Sequence, residues 1–201
     1  MLVFRPLELE HIPLIKPYFG ASRLCDVSTS LFIWRKYLSA EFCVGESLYI
    51  KQLHSGGKTV FMVPIGGDFF TGMETLLAYC RAHKHRAVFS AVASDELHKI
   101  SSRYDIISTE AIRDWFDYIY ESHDLRELRG RRFHGQRTHI NRFDREYTNH
   151  RFDYLTADNM ASAIAFADRY YEKRPPADRL ATEERAALYE ILERYAEYGL
   201  T

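Results

Sequence analysis

Residues 42–63 constrain this chain's fold more than any other stretch. They read Phe-Cys-Val-Gly-Glu-Ser-Leu-Tyr-Ile-Lys-Gln-Leu-His-Ser-Gly-Gly-Lys-Thr-Val-Phe-Met-Val. Three strand-like runs, 42–45, 47–53 and 59–63, follow one another in quick succession, a pattern that suits antiparallel pairs. The His54-Ser55-Gly56-Gly57 connection supplies the residues that tolerate the positive φ of a tight hairpin.

Helical and extended periods alternate around this meander. Residues 2–6 read as a strand, and residues 8–19 carry apolar side chains at helical spacing until Gly20. Asp26 or Ser28 can cap a helix running through Leu31, Trp34, Tyr37 and Leu38. After Pro64-Ile65-Gly66-Gly67, the spacing of Met73, Leu76, Leu77 and Cys80 predicts a helix over 72–83. Residues 86–92 then read as a strand, 94–102 as a helix capped by Ser94, and 105–109 and 115–120 as two further strands. The order β-α-α-β-β-β-α-β-α-β-β is that of an α/β (α+β) chain with antiparallel pairs.

The chain has 201 residues, 46% of them hydrophobic, enough for one good core or one and a half modest ones. Cys25, Cys43 and Cys80 are odd in number and widely spaced, which predicts reduced, buried thiols in a cytoplasmic protein rather than a disulfide framework. No basic segment precedes an apolar run at the start, and no window approaches the ~20 apolar residues that a membrane span needs.

The formal charge is -1, yet it is unevenly spread. Between positions 126 and 151 eight arginines stand against three acids, Glu127, Asp144 and Glu146. On a helical wheel from Arg131, Phe133, Ile140, Phe143 and Tyr147 fall on one side. Arg131, His134, Thr138, Asn141, Arg142 and Arg145 fall on the other. Arginine forks bind phosphate oxygens in pairs, so Arg131, His134, Arg137, Asn141, Arg142 and Arg145 are the candidate anion-binding set. The alternative is a solvated helix face whose arginines pair with nearby acids, and the sequence pI near 6.8 argues against a broad nucleic-acid footprint.

The stretch from Asp117 to Tyr147, with the upstream Cys-Asp-Val-Ser-Thr-Ser-Leu-Phe-Ile-Trp-Arg-Lys-Tyr at 25–37, resembles an uncharacterised bacterial family related to the C-terminal domain of phosphatidylglycerol lysyltransferase. The features that carry the resemblance are the aromatic pair Tyr118 and Tyr120, the Leu-x-x-Leu-x-Gly run ending at Gly130, and the basic stretch ending in Asn141-Arg142-Phe143. Relatives usually carry a basic residue followed by asparagine in mid-helix, where this chain has Arg137-Thr138. The resemblance implies a GNAT-like (acyl-CoA N-acyltransferase-like) mixed sheet over 1–122, basic linker helices over 123–150, and the start of a second GNAT-like domain over 151–201. That start would be a strand at 152–155 and helices at 158–172 and 183–198, the latter capped by Thr182 and ended by Gly199. Because relatives continue beyond this point, the chain is expected to be truncated in its second domain.

The loop Pro64-Ile65-Gly66-Gly67-Asp68 stands where GNAT enzymes hold the pyrophosphate of acetyl-CoA, which makes Gly66 and Gly67 candidate cofactor-binding residues. It lacks the spaced glycines and the arginine or glutamine of the usual motif, and a tight turn explains the pair equally well. His83 with His85, and His134 with His139, lack the spacing of a zinc site. Trp115, Phe116, Tyr118 and Tyr120 are expected to be core.

The resemblance implies acyl or aminoacyl transfer, with aminoacyl-tRNA or acyl-CoA as donor, in the complete gene product. For this chain alone, a non-catalytic scaffold or anion-binding module, or an inactive folded fragment, is the stronger expectation. The implied partners are tRNA or lipid phosphate at the basic helix, and a second copy through the C-terminal half.

Overall fold

In a computed structural model, residues 1–22, 24–54 and 56–199 are described. The chain divides into two compact units, one made of Met1–Thr109 with Thr156–Thr201 and the other of Glu110–Leu155.

The first unit is built on the expected meander. Strands β1 (Arg5–Pro6), β2 (Glu41–Val44), β3 (Leu48–His54) and β4 (Lys58–Phe61) form an antiparallel sheet in the order β1-β2-β3-β4. The register sets Phe42 opposite Ile50, Cys43 opposite Tyr49 and Lys51 opposite Phe61. At the β3–β4 turn Gly56 and Gly57 have φ of 81° and 72°, as the sequence requires, whereas Ser55 lies outside the described residues. Glu41 and Lys51, paired across β2 and β3, form an ion pair at 2.7 Å.

Both faces of β3 are covered, which explains its run of buried residues. On one face Phe42, Leu48, Ile50 and Met62 pack with Ile15, Leu31 and Phe32. These last come from α1 (Ile12–Ile15) and α2 (Thr29–Ile33). On the other face Tyr49 and Phe61 meet Leu76, Tyr79 and Cys80 of α3 (Phe69–Ala82), while Val63 meets Met73 and Ile100, the latter from α4 (Ser94–Ser101). Fully burying a side chain such as Phe61 or Leu76 contributes about 1.5–3 kcal/mol, so the sheet and its two helical layers hold the unit together.

Several expected elements differ. Residues 8–19 do not form one helix but a 3-10 turn at Leu9–His11, then α1, then a 3-10 turn at Lys16–Ala21. Pro13 and Pro17 each sit in the first turn of their segment, where a missing N–H is tolerated, but Pro17 cannot continue α1. Ser28 caps α2, its Oγ accepting from the Ser30 N–H at 3.2 Å, but the helix ends at Ile33. Helix α3 starts at Phe69 rather than 72, capped by Asp68, and α4 starts with Ala93 at its cap position rather than Ser94.

The strands expected at 86–92, 105–109, 115–120 and 152–155 make no ladder. Only Phe89 is bridged, parallel to Phe61, with Phe61 N–H donating to Val88 at 2.9 Å and Ser90 N–H donating to Phe61 at 3.0 Å. The other three segments have strand-like composition without a described neighbouring strand to accept their N–H groups, and composition alone does not make a strand. The thiols differ too: Cys80 is buried and Cys43 half-buried, but Cys25 is exposed.

Helices α5 (Ser122–Glu127), α6 (His134–Glu146), α7 (Ala157–Lys173) and α8 (Arg179–Arg194) complete the chain. In α8 the cap is Asp178, whose Oδ1 accepts from the Ala181 N–H at 2.8 Å; the expected cap, Thr182, lies inside the helix. Helices α7 and α8 pack together, with the Tyr171 and Tyr189 rings 6.3 Å apart and Arg185 over both.

The C-terminal segment is tied to the sheet layer by a buried charge. Arg35, 2% exposed, donates to Glu190 at 2.7 and 3.2 Å, to Phe32 O at 2.6 Å and to Tyr198 Oη at 3.1 Å. Lys36 reaches the same carboxylate at 3.0 Å and Arg194 lies 3.7 Å from it. Tyr198 and Ile191 join the apolar cluster around Phe32 and Phe42. Burial pushes the Glu190 carboxyl up, but the hydrogen bonds from Arg35 and Lys36 outweigh it and bring its pKa from 4.5 down to about 2.

A carboxylate with a depressed folded pKa stabilises the fold fully above its ordinary value, and the gain is lost as pH falls through the folded one. Urea unfolding followed by circular dichroism is therefore expected to show stability falling between pH 4.5 and about 2. Glu190→Gln is expected to flatten that fall and to cost roughly 3 kcal/mol at pH 7, because buried Arg35 loses its closest carboxylate and keeps only Glu8, half-exposed at 3.3 Å. A pH profile unchanged by Glu190→Gln would refute this.

Candidate functional site

Two places in the chain carry candidate site residues, and they differ in how their polar groups are used. The first is the Gly66-Gly67 loop. Both glycines have positive φ, 76° and 64°. A Cβ on Gly67 would stand 2.7 Å from the Glu46 carbonyl oxygen and 2.8 Å from Ser47 Oγ, and one on Gly66 would stand 3.1 Å from the Tyr18 ring. Ser47, itself buried, donates from Oγ to Gly66 O at 2.7 Å. Gly72 in the following helix is as tightly placed, its absent Cβ 2.9 Å from that of Pro64. The loop is thus pressed against the turn at Glu46-Ser47.

The start of α3 is also occupied from within. Asp68 Oδ1 accepts from the Thr71 N–H at 2.8 Å and from Thr71 Oγ1 at 2.7 Å, and these bonds hold its carboxyl below the usual carboxylate range. A helix start already neutralised by its own carboxylate offers an incoming phosphate less potential than an uncapped one.

The second place is the basic stretch, within the unit Glu110–Leu155. Gly130, at φ 86°, turns the chain from α5 into a 3-10 turn at Arg131–Phe133 that leads straight into α6. Phe133 is buried and Arg132 lies over its ring at 4.7 Å, while also pairing with Asp124. Arg137, half-buried, donates to the carbonyls of Leu128 and Gly130, so its guanidinium fastens the turn before α6. Of the six sequence-selected residues it alone faces the turn.

The other five stand exposed on the 3-10 turn and α6. The Arg131 side chain makes no hydrogen bond or ion pair among the described residues, although its carbonyl accepts from the His134 N–H. Arg142, its side chain 75% exposed, lies 3.8 Å from Glu146 in an i, i+4 pair. Such a pair contributes only a few tenths of a kcal/mol, and it yields readily to a better anion. Arg145 Nε donates to Asn141 O at 3.2 Å, leaving the rest of its fork outward. The apolar side, Ile140, Phe143 and Tyr147, is about half exposed, with Phe143 against Tyr147 and His150.

The expected aromatic core at 115–120 is absent. Trp115 is 62% exposed, Tyr118 87% and Ile119 92%, and the rings of Tyr118 and Tyr120 stack on each other at 6.5 Å. No sheet neighbour covers these side chains among the described residues. His83 stacks on Tyr79 at 4.1 Å, and His134 and His139 are exposed on α6. Burial raises the Cys80 thiol above its ordinary pKa, which suits packing rather than nucleophilic attack.

The residues that sequence reasoning passed over are Arg35 and Glu190. Each sits in an otherwise apolar run, Leu31-Phe32-Ile33-Trp34-Arg35 and Glu190-Ile191-Leu192. A charge inside an apolar run is the signal that was available, because it is tolerated there only when paired.

The family described as phosphatidylglycerol lysyltransferase, C-terminal, matches residues 21–200. The chain belongs to that family. It is also similar to a solved structure, a conserved protein of unknown function from Bacteroides thetaiotaomicron VPI-5482. The two share 25% sequence identity with a TM-score of 0.83, covering 99% of this chain and 69% of that one. Comparison with curated proteins finds no match. Among the described residues no helix is long and apolar enough to cross a membrane.

Gly67→Ala tests the role of the glycine loop. The new Cβ meets a backbone oxygen at 2.7 Å and requires a left-handed φ, so a loss of at least about 2 kcal/mol is expected in urea titration without any ligand. Wild-type stability would mean that the glycines are not there for packing.

Proposed function

We propose that this member of the lysyltransferase C-terminal family is a non-catalytic, anion-holding module within a GNAT-like architecture. Its 3-10 turn and α6 arginine face would take the phosphates of the donor or acceptor in an acyl or aminoacyl transfer. The observation that carries this reading is the exposure of Arg131, Arg142 and Arg145, with His134 and Asn141, on one side of a short helical segment. Their weak or absent internal partners support it.

In this reading residues 1–122 form the first GNAT-like domain, 123–150 the basic linker, and 151–201 the start of the second. Arg137 positions the linker helix instead of touching the anion. Gly66 and Gly67 serve packing, so CoA is not assigned to that loop. The anion is a phosphodiester or phosphomonoester, presented by tRNA or by a lipid headgroup, and the absence of any paired thiol among the three cysteines supports a cytoplasmic setting.

Fluorescence titrations with bulk tRNA and with vesicles containing about one-third phosphatidylglycerol, at low and high salt, test the site. Replacing Arg131, Arg142 and Arg145 by Gln is expected to leave stability within about 1 kcal/mol, since all three are exposed. It is expected to weaken phosphate binding by roughly tenfold or more and to lower the salt slope by about 2–3. Equal binding by wild type and variant to both probes would overturn the assignment.

A further inference from the structure

The unit Glu110–Leu155 presents two surfaces of opposite charge. Residues 110–121 carry Glu110, Asp114, Asp117 and Glu121 against Arg113, interleaved with the exposed side chains of Trp115, Phe116, Tyr118, Ile119 and Tyr120. The stretch 126–151 carries eight arginines against three acids. Glu110, Asp114 and Glu121 form no ion pair among the described residues, and neither do Arg126 and Arg131. The rings of Tyr118 and Tyr120 lie side by side with Ile119 between them in sequence, the alternation of an extended segment. Exposed apolar side chains on this scale mark an interaction surface.

The acids in the strip disfavour a polyanion there and favour a partner rich in arginine, which stacks on aromatic faces as well as pairing with carboxylates. This same unit supplies such a surface. We propose that the strip is a docking surface for a second copy of this chain, with the strip of each copy lying against the arginine face of α6 on the other. A two-fold arrangement makes both contacts at once, since each copy offers one surface of each kind. The inference shares the arginine face with the proposed function, but it concerns the strip and needs no phosphate ligand.

Sedimentation velocity on the purified chain, without nucleic acid or lipid, tests it. A dimer is expected at about 0.1 M salt, with at least a tenfold weaker association at about 1 M, where the screening length drops to about 3 Å. Asp114→Arg with Glu121→Arg, and separately Arg142→Glu with Arg145→Glu, are each expected to give monomers with unchanged circular dichroism. Mixed in equal amounts, the two variants are expected to form a heterodimer, because both strip-to-helix contacts then join opposite charges. A monomeric wild type, variants that still dimerise, or a mixture that stays monomeric would overturn the proposal. Loss of tRNA or vesicle binding in the Gln variants bears on the phosphate site alone, so the two ideas fail separately.

Discussion

A buried guanidinium organises the first unit. Arg35 leaves α2 beneath the sheet layer with almost no access to water, so its charge must be met within the protein. Glu8 meets it in part, at 3.3 Å, and Glu190 more closely, at 2.7 Å, from more than 150 residues further along the chain. Tyr198 adds its hydroxyl and places its ring among the core residues around Phe32. The late helices are therefore bound to the early strands by an interaction that is costly to break from either side. Apolar contact between Ile191, Tyr198 and the sheet layer supplies the attraction, while the charge pair supplies the register, since only one seating of α8 brings Glu190 to Arg35.

How much of this was legible from residues varies with the range of the interactions. The β2–β3–β4 meander was readable because its short apolar runs and its Gly56-Gly57 turn are local. The α3 and α4 helices were readable too, with boundaries moved by caps, Asp68 ahead of Phe69 and Ala93 ahead of Ser94. Residues 8–19 misled because apolar spacing outlasts the point where Pro17 can continue a helix. Residues 115–120 misled more seriously. Trp, Phe, Tyr and Ile favour strands, yet a strand exists only with a neighbour to pair with, and the sequence does not reveal whether one is present.

The candidate site shows the same division. The arginine excess and the two-sided wheel of α6 were evident from spacing alone, and the family match spans them within residues 21–200. What spacing does not separate is use. Arg137 and Arg145 are eight positions apart on one helix, yet the first spends its donors on two backbone carbonyls before the helix and the second keeps its fork toward solvent. The Gly66-Gly67 pair likewise invited reading as a phosphate loop, while the atoms around it, Glu46 O, Ser47 Oγ and the Tyr18 ring, account for both glycines by close approach.

Arg35 and Glu190 join α8 to the sheet, so the two unfold together. Native-state hydrogen exchange measured residue by residue at pH 7 tests it most directly. The slowest amides of α8 are expected to exchange at the same global opening rate as those of β3 in the wild type, and Glu190→Gln is expected to release α8 to faster exchange while β3 remains slower. Amides of α8 that already exchange orders of magnitude faster than β3 in the wild type would contradict it.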